Sequence, residues 1–529
     1  MNILFFLSIF IFVLYIMIKT KKALHILQQN LYNLDNRYLF WLKKNIKTAF
    51  FNKDIYIFII IPIMFFIPYI YSIIIFILFF SILFIYEFKK EIHTTYKKPL
   101  VITSRLKRLI ITTILVNLLP IIIIIFNNTL YNYIFLILFL ILEYIVVLTA
   151  NIINIPIEKI VYNHFMRLAK NKLKNMPNLK IIGITGSYGK TSSKNILNDI
   201  LSFKFNSLKS PANFNTPQGL MITINNHLTK FDDILIAEMG AYKKGDIKEL
   251  CDFVHPKYAI ITKIGTSHLE SFGSFENIQE GKFELIETLP SDGIAILNKD
   301  DDMQVAYVNK KLKNKCKIIW IGIKDTSSDI IAKDIKYSNI GTTFNIKFKE
   351  DKKTYQFHTK LLGEANIYNI LASIALSREF GSNIEEMIKG VNSVRSIEHR
   401  LELQRHGNLT VIDDTYSSNP VGAKMALDVL KLMPGKKIIV TPGMVEMGVE
   451  QYELNKEFGR QISVVCDKVV LVGERQSKPI LEGLIEKNYN KNNIIVKNKF
   501  KEAFDYAMAN QGENTFILLE NDLPDIYNE

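Results

Sequence analysis

The pattern of hydrophobic and polar positions changes near residue 150. Before that point, strongly apolar stretches with almost no charge alternate with basic loops. The apolar stretches are residues 3–18, 55–86, 109–126 and 131–150. Because a helix needs about 20 apolar residues to cross a bilayer, the pattern predicts an α-helical membrane domain over residues 1–152.

The stretch 55–86 is too long for one ordinary span. The loop before it, 19–54, carries eight Lys and Arg residues, and the loop after it, 89–108, carries seven. Cytoplasmic loops hold the excess of positive charge, so both loops are expected on the same side. This predicts a hairpin that turns near Pro68–Ser72 and about five crossings in total. The N-terminus is then outside, and everything after about residue 151 is cytoplasmic. The predicted spans are 3–18, 55–69, 71–86, 109–126 and 131–150.

Glu143 falls inside the last predicted span. Ionisable side chains at membrane depth are costly and often functional. A position near the interface, from which the side chain reaches the headgroups, explains the residue equally well. The sequence leaves both readings open.

From Lys180 onward, short β-branched runs alternate with amphipathic stretches. This is typical of a mostly parallel sheet with crossover helices. It predicts a linker over 153–178, a central α/β domain over 179–392 and a Rossmann-like C-terminal α/β domain over 393–529. The predicted strands are 180–185, 233–238, 258–262, 294–297, 409–413, 437–441, 468–472, 493–496 and 515–519, and residues 317–357 are expected to be antiparallel and β-rich. The predicted helices are 366–380, 420–432, 451–464, 478–487 and 499–509.

Composition narrows the function classes. The chain has 529 residues and a formal net charge of +14, but its basic residues are not interleaved with aromatic ones as in nucleic-acid-binding surfaces, so no nucleic-acid partner is predicted. Cys251, Cys316 and Cys466 lie far apart without metal-ligand spacing. This fits a reducing compartment and no disulfide framework.

The run IIGITGSYGKTSSKNIL predicts a phosphate-binding loop. An apolar strand leads into a turn with Gly186 and Gly189, followed by Lys190, Thr191 and a helix-compatible segment. Glycines let backbone N–H groups approach phosphate oxygens, the helix N-terminus adds positive potential, the lysine neutralises charge and the threonine hydroxyl can hold Mg²⁺. The position where a Walker A loop needs its first glycine is Ile184. The motif is therefore the shorter T-G-x-x-G-K-T, and the central domain is predicted to be a P-loop-type ATPase domain.

Two polar side chains follow neighbouring predicted strands. Glu238 ends the strand 233–238, and a carboxylate at the end of a strand near a phosphate loop is a typical Mg²⁺ ligand. His268 follows the strand 258–262, where it can bind a metal or a phosphate, although a lone histidine there is more often structural.

The run LNKDDD contains Asn298, Asp300 and Asp301. The amide suits an adenine edge and the carboxylates suit a ribose, and a plain Asn/Asp turn is the alternative. In the second α/β domain, Asp414 ends a predicted strand and can also contact nucleotide, while Asn419 precedes a proline at a helix start.

These elements, in this order, resemble the Mur ligase superfamily, most closely its branch that adds D-alanyl-D-alanine in peptidoglycan synthesis. The resemblance covers about residues 178–475. It is carried by ITGSYGKTS, EMGAYKKGDI, IGTSHLESFGSFENI with GKFELI, LNKDDD, LLGEANIYNILASIA, HRLEL, IDDTYSSNP and TPGMVEMG. It implies an ATP-dependent, ADP-forming amide ligase in which a substrate carboxylate becomes an acyl phosphate that an amine then attacks.

The resemblance also implies roles for individual residues. Lys190, His268 and Lys282 would be catalytic. Thr191 and Glu238 would hold one Mg²⁺, and His268 with Lys282 would serve a second. Lys282, by itself a surface lysine on a helix, would act as a carbamate because a bare ammonium repels a metal. The implied ATP-binding residues are Gly186, Ser187, Tyr188, Gly189, Lys190, Thr191, Ser192, Asn298, Asp301, Asn366, Arg400 and Asp414.

Three departures from the family concern the substrates. Only about 30 residues separate the last predicted span from the phosphate loop, so the usual UDP-binding domain is not expected. Pro442-Gly443 stands where related ligases often carry Gly-Asp, and LLENDLPD replaces a Lys-Gly-Ser element. The predicted partners are therefore a UDP- or lipid-linked muramoyl peptide, an amino acid or dipeptide, and membrane lipid.

Two alternatives remain at this point. One is a ligase of the same superfamily for another polymer, similar to poly-γ-glutamate synthetases. The other, from a different class, is a membrane transporter or scaffold with a nucleotide-sensing domain. In all readings the predicted location is the cytoplasmic membrane, with the catalytic domains in the cytoplasm.

Overall fold

The computed structural model describes most of the chain. The described residues are 2–33, 38–50, 56–94, 96, 99–126, 130–265, 269–313, 315–338, 340–396, 398–407, 409–415, 419–445, 447, 450–509, 512 and 514–522. The chain divides into two compact units, Met1–Phe165 and Met166–Glu529.

The described part of the first unit is built of helices. They are α1 (Asn2–Gln29), α2 (Leu39–Lys44), α3 (Ile46–Phe50), α4 (Ile57–Phe66), α5 (Tyr69–His93), α6 (Ser104–Phe126), α7 (Leu130–Ile141) and the first part of α8 (Glu143–Lys174). Among the described residues, four helices are long and apolar enough to cross a membrane: α1, α5, α6 and α8. The predicted apolar helical domain is confirmed in this coarse form.

The lengths of the observed helices do not confirm the predicted count of about five membrane spans. The predicted span 55–69 contains α4, which has 10 residues, and 10 residues of helix reach about 15 Å against a hydrocarbon core of about 30 Å. The predicted span 131–150 is divided between α7 and α8. The predicted linker 153–178 is helical as far as Lys174. The fifth crossing stays a prediction.

Side-chain contacts give the directions of α1 and α5. Phe12 of α1 stacks on Phe76 of α5, with ring centroids 6.0 Å apart. Ten residues further along α1, Lys22 pairs with Glu87 of α5. Because the residue numbers of both partners rise together, α1 and α5 run parallel.

The same reasoning places the remaining long helices. Ser8 contacts Tyr133 at 3.0 Å and Thr20 contacts Glu143 at 2.6 Å, so α7 and α8 also run parallel to α1. Arg108 at the start of α6 binds Glu158 of α8, whereas Asn117 lies beside Glu143, so α6 runs antiparallel to α8.

Glu143 lies inside this bundle. Its side chain is buried and accepts hydrogen bonds from Thr20 Oγ1 at 2.6 Å and from Asn117 Nδ2 at 3.2 Å. The carboxylate therefore faces the neighbouring helices, and its depth relative to the membrane interface stays a prediction.

The second unit begins with a nine-stranded sheet in the order β2-β3-β1-β4-β5-β6-β7-β8-β9. Its strands are β1 (Lys180–Thr185), β2 (Ser207–Lys209), β3 (Ile234–Glu238), β4 (Tyr258–Ile261), β5 (Ile294–Asn298), β6 (Lys317–Gly322), β7 (Ile330–Ser338), β8 (Gly341–Phe348) and β9 (Thr354–Thr359). Its helices are α9 (Lys190–Leu201), α10 (Pro217–Asn226), α11 (Asp246–Val254), α12 (Leu269–Phe272), α13 (Phe275–Glu287), α14 (Asp302–Lys310), α15 (Glu364–Glu379) and α16 (Ile384–Ser393).

Helices cover both faces of the parallel part of this sheet, as such sheets require. Ile196 of α9 and Ile370 of α15 belong to the core on one face. On the other face, Leu285 of α13 packs so closely on Gly183 that an added Cβ there would lie 2.6 Å from its methyl carbon. The arrangement brings the carboxyl ends of β1, β3 and β4 to one edge, where the phosphate loop begins.

Two details of the sheet differ from the sequence-based expectation. The short strand β2 was not predicted, because three residues give too little pattern. The antiparallel assignment of 317–357 holds for β7, β8 and β9 but is wrong for β6, which pairs parallel with β5. The reason is that α14 lies between β5 and β6 as a crossover, and such a connection favours parallel strands.

The C-terminal domain holds a six-stranded sheet in the order β10-β11-β15-β12-β13-β14. Its strands are β10 (Glu402–His406), β11 (Leu409–Asp414), β12 (Lys436–Thr441), β13 (Lys468–Val472), β14 (Ile494–Lys497) and β15 (Thr515–Glu520). Its helices are α17 (Pro420–Leu432), α18 (Gln451–Val465), α19 (Glu474–Glu486) and α20 (Phe500–Ala509). All pairs except β10–β11 are parallel. The α/β class is confirmed, and the Rossmann-like classification stays a prediction.

Candidate active site

The phosphate loop connects β1 to α9. Gly186 opens it at φ +148°, and a Cβ there would lie 2.0 Å from Thr262 Oγ1, so no larger residue fits. Gly189 at φ +81° is the last residue before α9 and takes a left-handed conformation that suits glycine. The first N–H groups of α9 have no partner within the helix. The loop therefore presents a helix N-terminus suited to a phosphate group.

Neighbouring strand ends hold the loop in place. The N–H groups of Ser187 and Tyr188 donate to Lys263 O at 2.9 and 3.3 Å. Thr262 Oγ1 donates to Tyr188 O at 2.6 Å, and Ser187 Oγ donates to Gly265 O at 2.9 Å. The loop is thus fastened to the segment that follows β4.

Lys190 folds back on the loop that it follows. Its ammonium donates to Gly186 O at 2.7 Å and to Ser187 O at 3.3 Å. Burial lowers the pKa of Lys190, and the nearby Glu238 carboxylate opposes that shift. The cation is held at the mouth of the predicted phosphate site.

Thr191 and Glu238 lie together, as the family resemblance implies for a shared metal. Thr191 Oγ1 is 3.2 and 3.1 Å from the two carboxylate oxygens of Glu238. Asn215 Nδ2 donates to Glu238 Oε1 at 3.2 Å. A hydroxyl and a carboxylate oxygen fit the oxygen ligands that Mg²⁺ prefers, so the donor set suits this ion.

Lys282 is buried on α13, and its interpretation as a surface lysine is wrong. Its ammonium lies 3.5 Å from Ala241 O, in the loop after β3, and 5.4 Å from the centre of the Phe272 ring. Burial, and next the positive charge of Lys190, lower its pKa to about 7. Its partner in the predicted second metal site, His268, lies outside the described residues, so that site stays a prediction.

A cavity of about 1070 Å³ brings the other predicted nucleotide residues together. It is lined by the loop residues 187–192 and by side chains from both α/β domains. The predicted residues on its wall are Ser187, Tyr188, Gly189, Lys190, Thr191, Ser192, Asn298, Asp301, Asn366, Arg400 and Asp414. Among the described residues, Gly186, Glu238 and Lys282 are not part of this wall.

Several of these side chains also form hydrogen bonds with the backbone of the protein itself. Asp301 caps α14 by accepting Met303 N–H at 3.1 Å and accepts Ile264 N–H at 3.0 Å. Asn366 Nδ2 donates to Leu362 O at 2.7 Å. The carboxylate of Asp414 accepts Leu401 N–H at 3.1 Å, and its burial raises its pKa.

Three residues at the site were not predicted. Lys194 binds Glu238 from α9, Asn215 binds the same carboxylate from a loop, and Tyr368 donates to Asp300 at 2.7 Å. The sequence could have indicated Lys194, because it lies four residues after Lys190 and therefore on the same face of the helix. The other two come from segments distant in sequence, where no local pattern indicates the contact.

Comparison with known proteins agrees with this geometry. Residues 184–377 match the model of the Mur ligase middle domain, and residues 399–520 match that of the Mur ligase, glutamate ligase domain. Over 359 residues the chain is 32% identical to the UDP-N-acetylmuramoyl-tripeptide–D-alanyl-D-alanine ligase of Bacillus subtilis, covering 67% of this chain and 75% of that relative. The chain belongs to the Mur ligase family. It is accordingly an ATP-dependent peptide ligase.

Further similar proteins are a second ligase of that name and two solved structures of MurF. The ligase of that name from Escherichia coli is 30% identical over 299 residues, which is 56% of this chain and 65% of that protein. The structure of MurF from Thermotoga maritima in complex with ADP is similar with a TM-score of 0.58 and 26% identity, covering 68% of this chain and 80% of the other. MurF from Acinetobacter baumannii gives a TM-score of 0.60 at 25% identity, with 68% and 78% covered.

Proposed function

We propose that this Mur ligase joins D-alanyl-D-alanine, or a similar amine, to the peptide of a peptidoglycan precursor at the expense of ATP. The observation that carries the proposal is the joint placement of Lys190, Thr191 and Glu238 at a phosphate loop that opens into the 1070 Å³ cavity. The relatives named above act, by their names, on UDP-N-acetylmuramoyl-tripeptide and D-alanyl-D-alanine.

The chemistry has two steps. An oxygen of the peptide carboxylate attacks the γ-phosphorus of ATP, the bond to the bridging oxygen breaks, and ADP leaves. The amine nitrogen then attacks the acyl carbon, phosphate leaves, and the nitrogen loses a proton. Lys190 and the N-terminus of α9 stabilise charge on the transferred phosphoryl group.

Mg²⁺ would be held by Thr191 and Glu238 and would supply further charge neutralisation at the phosphates. Lys282 would serve a second metal together with His268. A lysine whose pKa is lowered to about 7 by burial is substantially uncharged at neutral pH, and an uncharged amine can take up CO₂ to become a carbamate. This supports the predicted carbamylation.

Asn298, Asp301, Asn366, Arg400 and Asp414 would contact the nucleotide. Their common position on one cavity wall supports this assignment. Because the wall includes residues of both α/β domains, nucleotide binding would also hold those two domains together.

The protein is proposed to be a multi-pass protein of the cytoplasmic membrane with five crossings. The parallel directions of α1 and α5 support the count. Two consecutive long helices can run parallel only if the chain between them, residues 30–68, returns across the bundle. Between the two helices in sequence, Ile61 of α4 packs against the apolar cluster that contains Phe12 and Phe76. The ligase domains would then be cytoplasmic, where ATP is available.

A lipid-linked acceptor is the second candidate substrate. Helix α8 starts in the apolar unit and ends at Lys174, six residues before β1. Few residues therefore join the apolar helices to the ligase domains, and a precursor on a lipid carrier would be available to a protein held in the membrane.

Phosphate release by the full chain in nanodiscs tests these proposals. The assay supplies ATP, Mg²⁺ and D-alanyl-D-alanine with either UDP-linked or lipid-linked muramoyl tripeptide. Release that needs both acceptor and amine, and that Lys190→Ala abolishes, supports the ligase. Activity with the lipid-linked acceptor but not with the UDP-linked one favours the lipid-linked substrate. No release with any muramoyl acceptor contradicts the proposed substrate class, and release with glutamate polymers would favour a polymer synthetase.

A further inference from the structure

Lys194 forms a buried ion pair with the proposed metal-binding carboxylate. Its Nζ atom lies 2.9 Å from Glu238 Oε2, and the side chains of the two residues are 1% and 2% exposed. The same ammonium donates to the carbonyl oxygen of Ala212. The negative charge of Glu238 is thus already balanced inside the protein.

The two oxygens of Glu238 have different surroundings. Oε2 accepts the ammonium of Lys194, whereas Oε1 accepts Asn215 Nδ2 at 3.2 Å. Thr191 Oγ1 lies within 3.2 Å of both oxygens. The edge of the carboxylate next to Thr191 is therefore the one that can ligate a cation while Lys194 keeps its bond.

This arrangement makes a weak site for a bare divalent ion. Thr191 is neutral, Lys194 offsets the charge of Glu238, and the ammonium of Lys190 is also near this carboxylate, so the site offers a bare divalent ion no net negative charge. Mg²⁺ gives up its water reluctantly and is typically held by one or two carboxylates together with substrate phosphates. The missing negative charge can come from the phosphates of a nucleotide bound at the N-terminus of α9.

We infer that Lys194 makes metal binding at Thr191 and Glu238 conditional on the nucleotide, so that the divalent ion enters together with ATP. Lys194 is then a positioning residue, acting through Glu238. The inference rests on the proposed metal role of these two residues. It goes beyond that role because it assigns the order of binding to one side chain.

Binding of Mn²⁺, used in place of Mg²⁺ and followed by electron paramagnetic resonance, tests the inference on the full chain in nanodiscs. The protein is measured alone and with a non-hydrolysable ATP analogue. We expect weak Mn²⁺ binding by the wild type alone and much tighter binding with the analogue. Lys194→Met, which keeps the length of the chain but removes the charge, should tighten nucleotide-free Mn²⁺ binding by about tenfold or more, since a positive charge next to the ligand is gone.

Lys194→Arg is the matched control, because it keeps the charge and should retain the dependence on nucleotide. The double variant Lys194→Met with Glu238→Gln should lose the gained site. Equal Mn²⁺ affinity of the wild type with and without the analogue overturns the inference, and so does an unchanged Lys194→Met. If Lys194→Met does not fold, Lys194→Gln takes its place, because it keeps a polar group near Glu238 without the positive charge, and unchanged nucleotide-free Mn²⁺ binding by that variant overturns the inference.

The same data separate this inference from the proposed function. If the analogue binds but Glu238→Gln leaves the nucleotide-dependent Mn²⁺ affinity unchanged, the metal role of Glu238 is wrong, and the inference fails with it. If Glu238→Gln abolishes that affinity while the wild type binds Mn²⁺ equally well alone, only the inference fails.

Discussion

The ammonium nitrogen of Lys190 lies 2.7 Å from the carbonyl oxygen of Gly186, the residue that opens its own phosphate loop. The lysine is thereby held at the phosphate site by the loop itself. A bound nucleotide would exchange these neutral carbonyl partners for charged phosphate oxygens, which form stronger hydrogen bonds with an ammonium group.

Lys190→Ala should therefore abolish catalysis and spare the fold. We expect phosphate release to fall by about 10²–10³-fold or more, with the free energy of unfolding changed by less than about 1 kcal/mol, since only carbonyl hydrogen bonds are lost. Phosphate release and thermal unfolding are the measurements. Lys353→Ala, at an exposed position, is the control. A Lys190→Ala enzyme that keeps most of its turnover would refute the assignment.

Lys282 should carry a carbamate when CO₂ is present. Its pKa of about 7, lowered by burial and by Lys190, means that the uncharged amine increases as the pH rises through 7. The nitrogen then attacks CO₂, a C–N bond forms and a proton leaves. A ¹³C NMR signal of a carbamate in ¹³C-bicarbonate should grow over this range and be absent in Lys282→Met.

Activity gives a second readout for Lys282. Lys282→Ala should lose turnover and recover part of it with added short carboxylates, which can take the place of the carbamate oxygens. Lys282→Ala with full turnover would show that the carbamate has no role.

His399 should titrate above its ordinary range. Its Nδ1 atom lies 2.8 Å from Asp413 Oδ2, and this hydrogen bond and charge raise its pKa. The pair adds stability in full below the unfolded pKa of about 6.5, and that stability is lost as the pH rises through the higher folded pKa. Asp413→Asn should return the titration of His399, followed by NMR, toward about 6.5. An identical titration in both proteins would contradict the pairing.

Asp300 should stabilise the fold through its hydrogen bonds rather than bind the nucleotide. Its carboxylate accepts the N–H groups of Ile323, Lys324 and Asp325 at 2.6, 3.0 and 2.7 Å and the hydroxyl of Tyr368 at 2.7 Å. Burial raises the pKa of Asp300, but these hydrogen bonds outweigh it and leave the pKa lowered. The stability they add is present above the unfolded pKa of about 3.9 and is lost as the pH falls through the folded value.

Asp300→Ala should accordingly lower the free energy of unfolding by about 1–3 kcal/mol, measured by urea titration. The KM for ATP should change little, because the carboxylate is occupied by the protein. A large rise in KM without loss of stability would instead favour the ribose interpretation made from the sequence.

Cysteine labelling tests the five crossings. In intact cells, Ile67→Cys, between α4 and α5, should react with a membrane-impermeant maleimide, whereas Tyr96→Cys should react only after permeabilisation. Cys251, Cys316 and Cys466 are buried, so their background should be low. Labelling of Ile67→Cys only after permeabilisation would show that residues 30–68 do not cross.

Local patterns were sufficient for most elements and for the order of motifs. Helix α17 begins and ends at the predicted residues because Asn419 caps it ahead of a proline at the first turn. The strands β1 and β13 also match, since runs of buried β-branched residues have a strong signal. The identity of the family followed from motifs in sequence order.

Only the tertiary structure decided which side chains meet. Lys194 and Asn215 reach Glu238 from a helix and a loop, and β6 pairs parallel with β5 across the crossover helix α14. The side chain of Glu143 is buried among helices, and Lys282 is buried with a lowered pKa. Neither burial is indicated by the local sequence around the residue. Hydrophobic periodicity and caps are properties of short segments, whereas burial, charge pairing and helix direction depend on segments that are distant in sequence.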